Sequence, residues 1–492
     1  LTAESVARRF ETRSGYVLID YAPVALPLYR LTVDAITMVH RDLAPIKEFV
    51  MKTIAAGLCD TETISGFLGL DKAVVDGTLA QLKVEKLVVQ SDDSLAELAL
   101  SDRGVEVLDK AKTSTPQDET LVFIYDRLIQ KPVRLFTADL LIPNQIDPLS
   151  MIEIRAYPAE GPDVKDLSIP EIAQVLERQA GGRAAFGRDL LRLKKILRRV
   201  RLYRSGVALV YKKNKSTEIL VDFVIDDVRH EDVSHKFAER GGPKKMGFLK
   251  SIDEASTATE LRKYLGPDVQ KLLPGIEELD ECKERVMVER IKLQTAEAVA
   301  ERSYGRPEEA DAIEAVSLAR ASLKMSEDTL SAFAARPIAP YENSEFLELA
   351  LSKATRSLSI ATKVVDRSIV TPLFLKALES LLKGGCTVSL SVEAGPSDKP
   401  TPPEVALERL NRIYPGLTLE IGKKFAFYHI VCDDRFAVVS NRPFLGNMAK
   451  VRTFTHVVGY VLQRPDLVQS FVTKIRNVSP RRVSRGREEA RR

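Results

Sequence analysis

FAFYHIVCDDRFAVVSNRPFLGN, residues 425–447, holds two apolar runs separated by the short polar turn Asp433-Asp434-Arg435. Polar residues confined to a turn between apolar segments predict a β-hairpin. Upstream, EFLELALSKATRSL (345–358) spaces its apolar residues as a helix does, and SIATKVV (359–365) reads as a short strand. TPLFLKALESLLKGG (371–385) and CTVSLSVEAG (386–395) repeat the pair, and EVALERLNRIYPG (404–416) adds another helix. Alternating helices and strands over residues 342–472 predict a sheet covered by helices, an α/β domain.

This order resembles the phospholipase D-like superfamily, over roughly 130 of the 492 residues. In that superfamily the first strand of the hairpin carries His-x-Lys, four residues, then Asp. The next strand ends in a short Gly-Ser/Asn segment. The resemblance implies a His that attacks phosphorus, with Lys and Asn neutralising the phosphoryl oxygens. Counting back seven from Asp433 gives Ala426 for the His and Tyr428 for the Lys. Counting from Asp434 gives Phe427 and His429. Neither register supplies the pair, so this half is expected to be a degenerate scaffold, not an enzyme. An alternative makes His429 a replacement nucleophile with Asn447 and Lys450 on phosphate. Active relatives pair two such halves, so that alternative requires a homodimer through this domain. The plainer expectation places His429 in an alternating strand, where it satisfies a buried hydrogen bond.

The chain is 45% hydrophobic and 29% charged, ordinary for a folded protein of several domains. Its most apolar stretch, YVLIDYAPVALPLY (16–29), is broken by Asp20 and two prolines, so no membrane span is expected. The four cysteines, Cys59, Cys282, Cys386 and Cys432, lack metal spacing and read as reduced thiols of a cytoplasmic protein. Five histidines without HxH or HxxxH spacing argue against a metal site. No phosphate-binding glycine loop is present, so no cofactor is expected and any ATP use falls to a partner such as an ATPase or helicase.

Residues 46–115 read as a winged helix, after a non-autonomous leader at 1–45. IKEFVMKTIAAG, TETISGFLG and LDKAVVDGTLAQLKVEKLV give three helices, the third capped by Asp71 and burying Val74, Val75, Leu79 and Leu82. VVQ, the acidic tip SDDS and LAELALSD give a wing, and RGVEVLDKAK closes the unit. The order resembles winged helix-turn-helix domains of bacterial regulators, which implies DNA reading by the third helix. Its charge points elsewhere. Residues 46–112 hold eight Lys/Arg and twelve Asp/Glu, a net of −4, and Asp76 faces outward. A phosphate field repels such a surface, which favours a protein–protein or interdomain module over a DNA contact.

Residues 116–250 read as a mixed α/β domain. LVFIYDRL and SMIEIRAYPA predict strands, SIPEIAQVLERQA and AAFGRDLLRLKKIL predict helices, and RLYRSGVALVYKK with STEILVDFVI predicts a hairpin. The stretch 183–215 is the most basic in the chain: Arg183, Arg188, Arg192, Lys194, Lys195, Arg198, Arg199, Arg201, Arg204, Lys212, Lys213 and Lys215 against Asp189, or twelve minus one, +11. The expectation is a stripe of cations at one helix end on a DNA or RNA backbone, with Tyr203 and Tyr211 stacking on bases. An acidic protein partner or plain solvation are the alternatives.

Residues 251–336 predict a helical hairpin arm, with Ile276, Leu279, Val286 and Ile291 as its apolar stripe and Gly305-Arg306-Pro307 as its turn. The phospholipase D-like domain occupies 337–478. SPRRVSRGREEARR (479–492) is expected to be a disordered basic tail. The sum is a multi-domain α/β chain. Its expected role is a non-catalytic, nucleic-acid-associated adaptor or scaffold with other protein subunits. By analogy of fold, the setting is a bacterial DNA-processing or phage-defence assembly.

Overall fold

The computed structural model describes residues 2–90, 98–110, 112–214, 216–248, 254–305, 307–393, 401–446 and 454–478. The acidic tip SDDS and the basic tail lie outside them. The chain forms two compact units, each discontinuous in sequence. One comprises Pro27–Leu140 and Pro158–Leu202, the other Leu1–Leu26, Leu141–Tyr157 and Tyr203–Arg492. Two of the four crossings between them fall within long strands, Tyr16–Asp42 and Arg188–Lys213.

In the first unit, residues 28–42 of the long N-terminal strand pair antiparallel with Lys112–Asp126, from Leu28 opposite Asp126 to Asp42 opposite Lys112. The strand Arg188–Lys213 lies on the other side of Tyr16–Asp42. Leu31, Val33, Phe123, Leu190 and Leu193 form a core against the helix Ile169–Ala180. The helix expected over AAFGRDLLRLKKIL is confined to Arg183–Phe186, and Gly187 (φ 63°) ends it. The rest is strand. Its apolar residues Leu190, Leu193, Ile196 and Val200 recur at three and four, a helical period. Backbone pairing along the N-terminal strand outweighs that pattern.

The elements expected to form a winged helix sit in the same unit. Helices span Pro45–Ala55, Thr61–Leu68, Lys72–Val84 and Asp102–Lys110, and Val88–Gln90 pairs antiparallel with Leu98–Leu100. Asp60 and Asp71 cap the second and third helices through the amides of Thr63 and Ala73. Met51, Ile64, Val75, Leu79 and Leu82 meet in one core. Val74, expected inside, is 45% exposed, because it lies about 100° around the helix from Val75.

In the second unit, a seven-stranded sheet runs in the order Ala335–Pro337, Gly459–Leu462, Phe436–Ser440, Tyr428–Cys432, Ser357–Thr362, Thr387–Val392, Leu417–Ile421. The last three strands are parallel, and the expected hairpin pairs His429 with Val439. Ile360, Leu390, Ile430 and Val438 face the helices Glu342–Lys353, Pro372–Lys383 and Pro402–Ile413. Val431, Ala437 and Val439, at alternating positions, face the helices Glu254–Leu265 and Pro465–Val478. Of SMIEIRAYPA only Ile152–Glu153 forms a strand.

The helical arm, Ile276–Ser303 and Glu309–Ser331, is antiparallel: Arg290 pairs with Glu327 and Arg320 with Glu297. Leu279 and Val286 are buried as expected, but Ile276 and Ile291 are 80% and 51% exposed. No helix among the described residues is long and apolar enough to cross a membrane.

The N-terminal strand joins this unit through a buried charge pair. Asp20 accepts from the Arg442 guanidinium (3.4 Å) and the Thr455 amide (3.0 Å), and Arg442 lies 4.3 Å over the Tyr21 ring. Removing one partner strands a buried charge, so Asp20→Ala is expected to cost about 3–5 kcal/mol in urea denaturation. Asp20→Ala with Arg442→Met should cost less than Asp20→Ala alone. Equal losses would mean that the charge pair is not what holds this strand.

Candidate nucleic-acid interface

The basic run divides by what its cations touch. Arg188 pairs with Glu119, and Lys194 with Asp118 at 2.6 Å. Arg199 donates to the Pro162 carbonyl at 2.9 Å and lies 3.6 Å from Asp163. In the other unit, Arg204 pairs with Asp226 and Lys213 with Glu218, at 2.5 and 2.8 Å. Lys212 is half-buried. The Arg183 side chain and Lys215 lie outside the described residues.

Four cations remain: Arg192, Lys195, Arg198 and Arg201 are exposed, with no ion pair among the described residues. They recur every third residue on a strand, not at one helix end as expected. At about 3.3 Å per residue they span roughly 30 Å, about nine phosphates of one DNA strand. Residues 188–201 have the Tyr16–Asp42 strand as their only strand neighbour among the described residues, because Ile219–Ile225 reaches only Val207–Lys212. The cations therefore flank a sheet edge, Arg192 and Arg198 at positions of one parity and Lys195 and Arg201 at the other, so that an alternating strand puts the two pairs on opposite faces.

The tyrosines expected to stack on bases cannot do so. Tyr203 and Tyr211 are 3% and 0% exposed. Their hydroxyls donate to Glu153 (2.7 Å) and to the Phe10 carbonyl (2.5 Å). On strands that alternate inward and outward, both fall on inward positions.

Around the hairpin turn, Asp433 adopts φ 52° and its carboxylate accepts from the amides of Thr355, Arg356 and Ser357 at 2.7–3.0 Å. Burial pushes its pKa up, but these amides outweigh that and hold it below the ordinary value. Tyr428 donates to Glu393 at 3.1 Å, and Asn441 donates to the His456 carbonyl at 2.8 Å.

His429 is 6% exposed and lies edge-on to Phe425 and Phe471, 6.1 and 5.7 Å between centroids. The buried hydrogen bond expected of it is missing: its Nδ1 has no partner among the described residues. Burial, with a small push from Lys423, lowers its pKa to about 4, so the imidazole is neutral at physiological pH. It borders a groove of about 1220 Å³ floored by Ser357, Ser359, Ser389 and Ser391. Asn447 and Lys450, its partners in the catalytic alternative, lie outside the described residues. Among the described residues no group of His, Cys, Asp and Glu is placed to hold a metal ion, and the four cysteines are unpaired.

No family model matches the chain, and no curated protein does. Several solved structures are similar over part of it. Nuc, a phospholipase D family member from Salmonella typhimurium, shares 18% identity over 27% of this chain and 84% of its own, with a TM-score of 0.21. The archaeal chromatin protein TrmBL2 shares 15% identity over 34% of this chain and 61% of its own, with a TM-score of 0.22. The phosphatidylserine synthase of Haemophilus influenzae shares 16% identity over 35% of this chain and 46% of its own, with a TM-score of 0.20. Likeness of this degree assigns no activity.

The low pKa of His429 has a consequence for stability. The residue takes up a proton near its ordinary value of 6.5 when unfolded but only near 4 when folded. Between those values the unfolded chain binds more protons. The contribution is therefore complete above about pH 6.5 and lost as the pH falls toward 4. Relative to the native chain, His429→Phe is expected to flatten the acid limb of stability by about 2–3 kcal/mol between pH 7 and 4.5. Urea denaturation at both pH values measures this; parallel losses in the two proteins would refute it.

Proposed function

We propose that this chain is a non-catalytic, nucleic-acid-associated protein that grips a phosphate backbone through the sheet edge bearing Arg192, Lys195, Arg198 and Arg201. One observation carries the reading: these four cations are exposed and unpaired among the described residues, while Arg188, Lys194 and Arg199 beside them are held by partners in the chain. Paired cations are already neutralised, whereas unpaired ones release counterions when a phosphate replaces water. Buried Tyr203 and Tyr211 favour contact with the backbone over contact with bases.

The phospholipase D-like half serves in this reading as a scaffold. Counting from Asp433, Ala426 and Tyr428 stand where the resemblance calls for the attacking His and the Lys, and counting from Asp434, Phe427 and His429 do; Tyr428 is engaged with Glu393. His429 is neutral and walled by aromatic rings. The wider role consistent with these features is an adaptor or scaffold subunit of a cytoplasmic DNA-processing or defence assembly. A partner would supply any ATP-driven step.

A second reading has its own support. Lysines and arginines on an exposed edge strand block pairing with other sheets. Charge reversal separates the two, because glutamates still block an edge but repel phosphate. With labelled duplex DNA, the native chain is expected to show a log–log salt slope of about −3.6 for four phosphate contacts. Arg198→Glu with Arg201→Glu should weaken binding and bring the slope near −2 without causing aggregation. Unchanged binding would remove the edge from the interface. A cleaved probe whose cleavage vanishes in His429→Ala would overturn the non-catalytic reading.

A further inference from the structure

The third winged-helix helix, Lys72–Val84, buries Val75, Thr78, Leu79 and Leu82. At 100° per residue, the face opposite these four is centred on Ala73, Gly77, Ala80 and Val84. All four are exposed and uncharged; exposed Gln81 and Val74 flank them on one side, and exposed Asp76 and Lys83 on the other. Val84 is 84% exposed, and Phe67, at the end of the preceding helix, is 70% exposed. The four central positions carry no cation, and Asp76 lies nearer to them around the helix than Lys83 does.

Gly77 adds an independent observation. A glycine weakens a helix interior relative to alanine. A Cβ at Gly77 would meet nothing within 4 Å, so no contact in this chain requires the missing side chain. A reason outside the chain is the close approach of another helix, which small residues permit.

The flank of the stripe carries charge. A pocket of about 280 Å³ is lined by Asp60, Asp76, Leu79, Ala80 and Lys83, two carboxylates to one ammonium. The Thr63 hydroxyl and amide hold Asp60 below the ordinary carboxylate range, so it stays ionised. The surrounding residues 46–112 have a net charge of −4, eight cations less twelve anions.

We propose that this face docks a basic amphipathic helix of a partner protein. Its apolar stripe lies along Ala73, Gly77, Ala80 and Val84, and a lysine or arginine enters the pocket of Asp60 and Asp76. The proposal is independent of the basic edge, since no residue is shared.

The test uses the full chain and two labelled synthetic peptides of about 18 residues, long enough to form a helix. Both carry one leucine stripe; one has lysines on its polar face, the other glutamates. Fluorescence anisotropy should show the lysine peptide binding about tenfold more tightly than the glutamate peptide. Gly77→Leu and Val84→Glu should each weaken the lysine peptide by about tenfold with no fall in Tm. Asp76→Lys should erase the preference between peptides. Equal binding of the two peptides, or binding that all three substitutions leave untouched, would overturn the proposal. So would self-association of the chain that Val84→Glu abolishes, or displacement of the peptide by duplex DNA.

Discussion

One strand of 27 residues, Tyr16–Asp42, has to satisfy its backbone along its whole length. Each buried N–H and C=O left without a partner would cost free energy comparable to a lost hydrogen bond. Fifteen residues, 28–42, find partners in Lys112–Asp126, while Val24 and Ala25 find Ile152 and Glu153. The other side of the strand calls for a second long partner, and Arg188–Lys213 fills that place. The basic run is therefore extended, and its cations are spread over roughly 30 Å where a helix would place them within about 14 Å. The chemistry available to those cations is set by pairing that they do not themselves make.

The same requirement for partners governs the buried charges. Asp20 is the only charged residue in YVLIDYAPVALPLY, and it is fully buried against Arg442, 422 positions away in sequence. Asp433 binds three successive amides at the start of the strand Ser357–Thr362 and so ties the hairpin turn to the centre of its sheet. Arg336 and Glu342, both buried, meet at 2.7 Å, and Glu342 also takes the Ala339 amide at 2.6 Å. Each of these groups is held where a mispaired alternative would be costly, which fixes connections that apolar packing alone leaves loose.

Local patterns were legible in the sequence wherever the period of apolar residues agreed with the final environment. The winged-helix elements, the Asp71 cap, the alternating helices and strands after Glu342 and the hairpin at Asp433 follow from spacing and turn chemistry. The helix expected over residues 184–197 failed because Leu190, Leu193, Ile196 and Val200 carry a helical period inside a strand, and the pairing that decides the matter comes from residues more than a hundred positions earlier. The apolar stripe of the arm was half right. Leu279 and Val286 are covered, whereas Ile276 and Ile291 are exposed, because the arm has neighbours along only part of its length. Which cations of the basic run are free was not readable at all, since Asp118, Glu119 and Pro162 are distant in sequence and are set beside it only by folding.

His429 shows how burial and reactivity pull apart. An imidazole that attacks phosphorus must reach its target and have a neighbour to orient its second nitrogen. His429 has Nδ1 buried without a partner among the described residues and aromatic edges on two sides, and it stays neutral down to about pH 4. Its unpartnered nitrogen is a cost to folding. Arg192, Lys195, Arg198 and Arg201 stand in the opposite condition, exposed and charged. A backbone-binding surface needs many weak, hydrated contacts, and a catalytic centre needs a few dry, oriented ones. The described side chains supply the first kind on the sheet edge, while His429 borders an open, serine-lined groove without an orienting partner among the described residues, which supports the proposed binding role over cleavage.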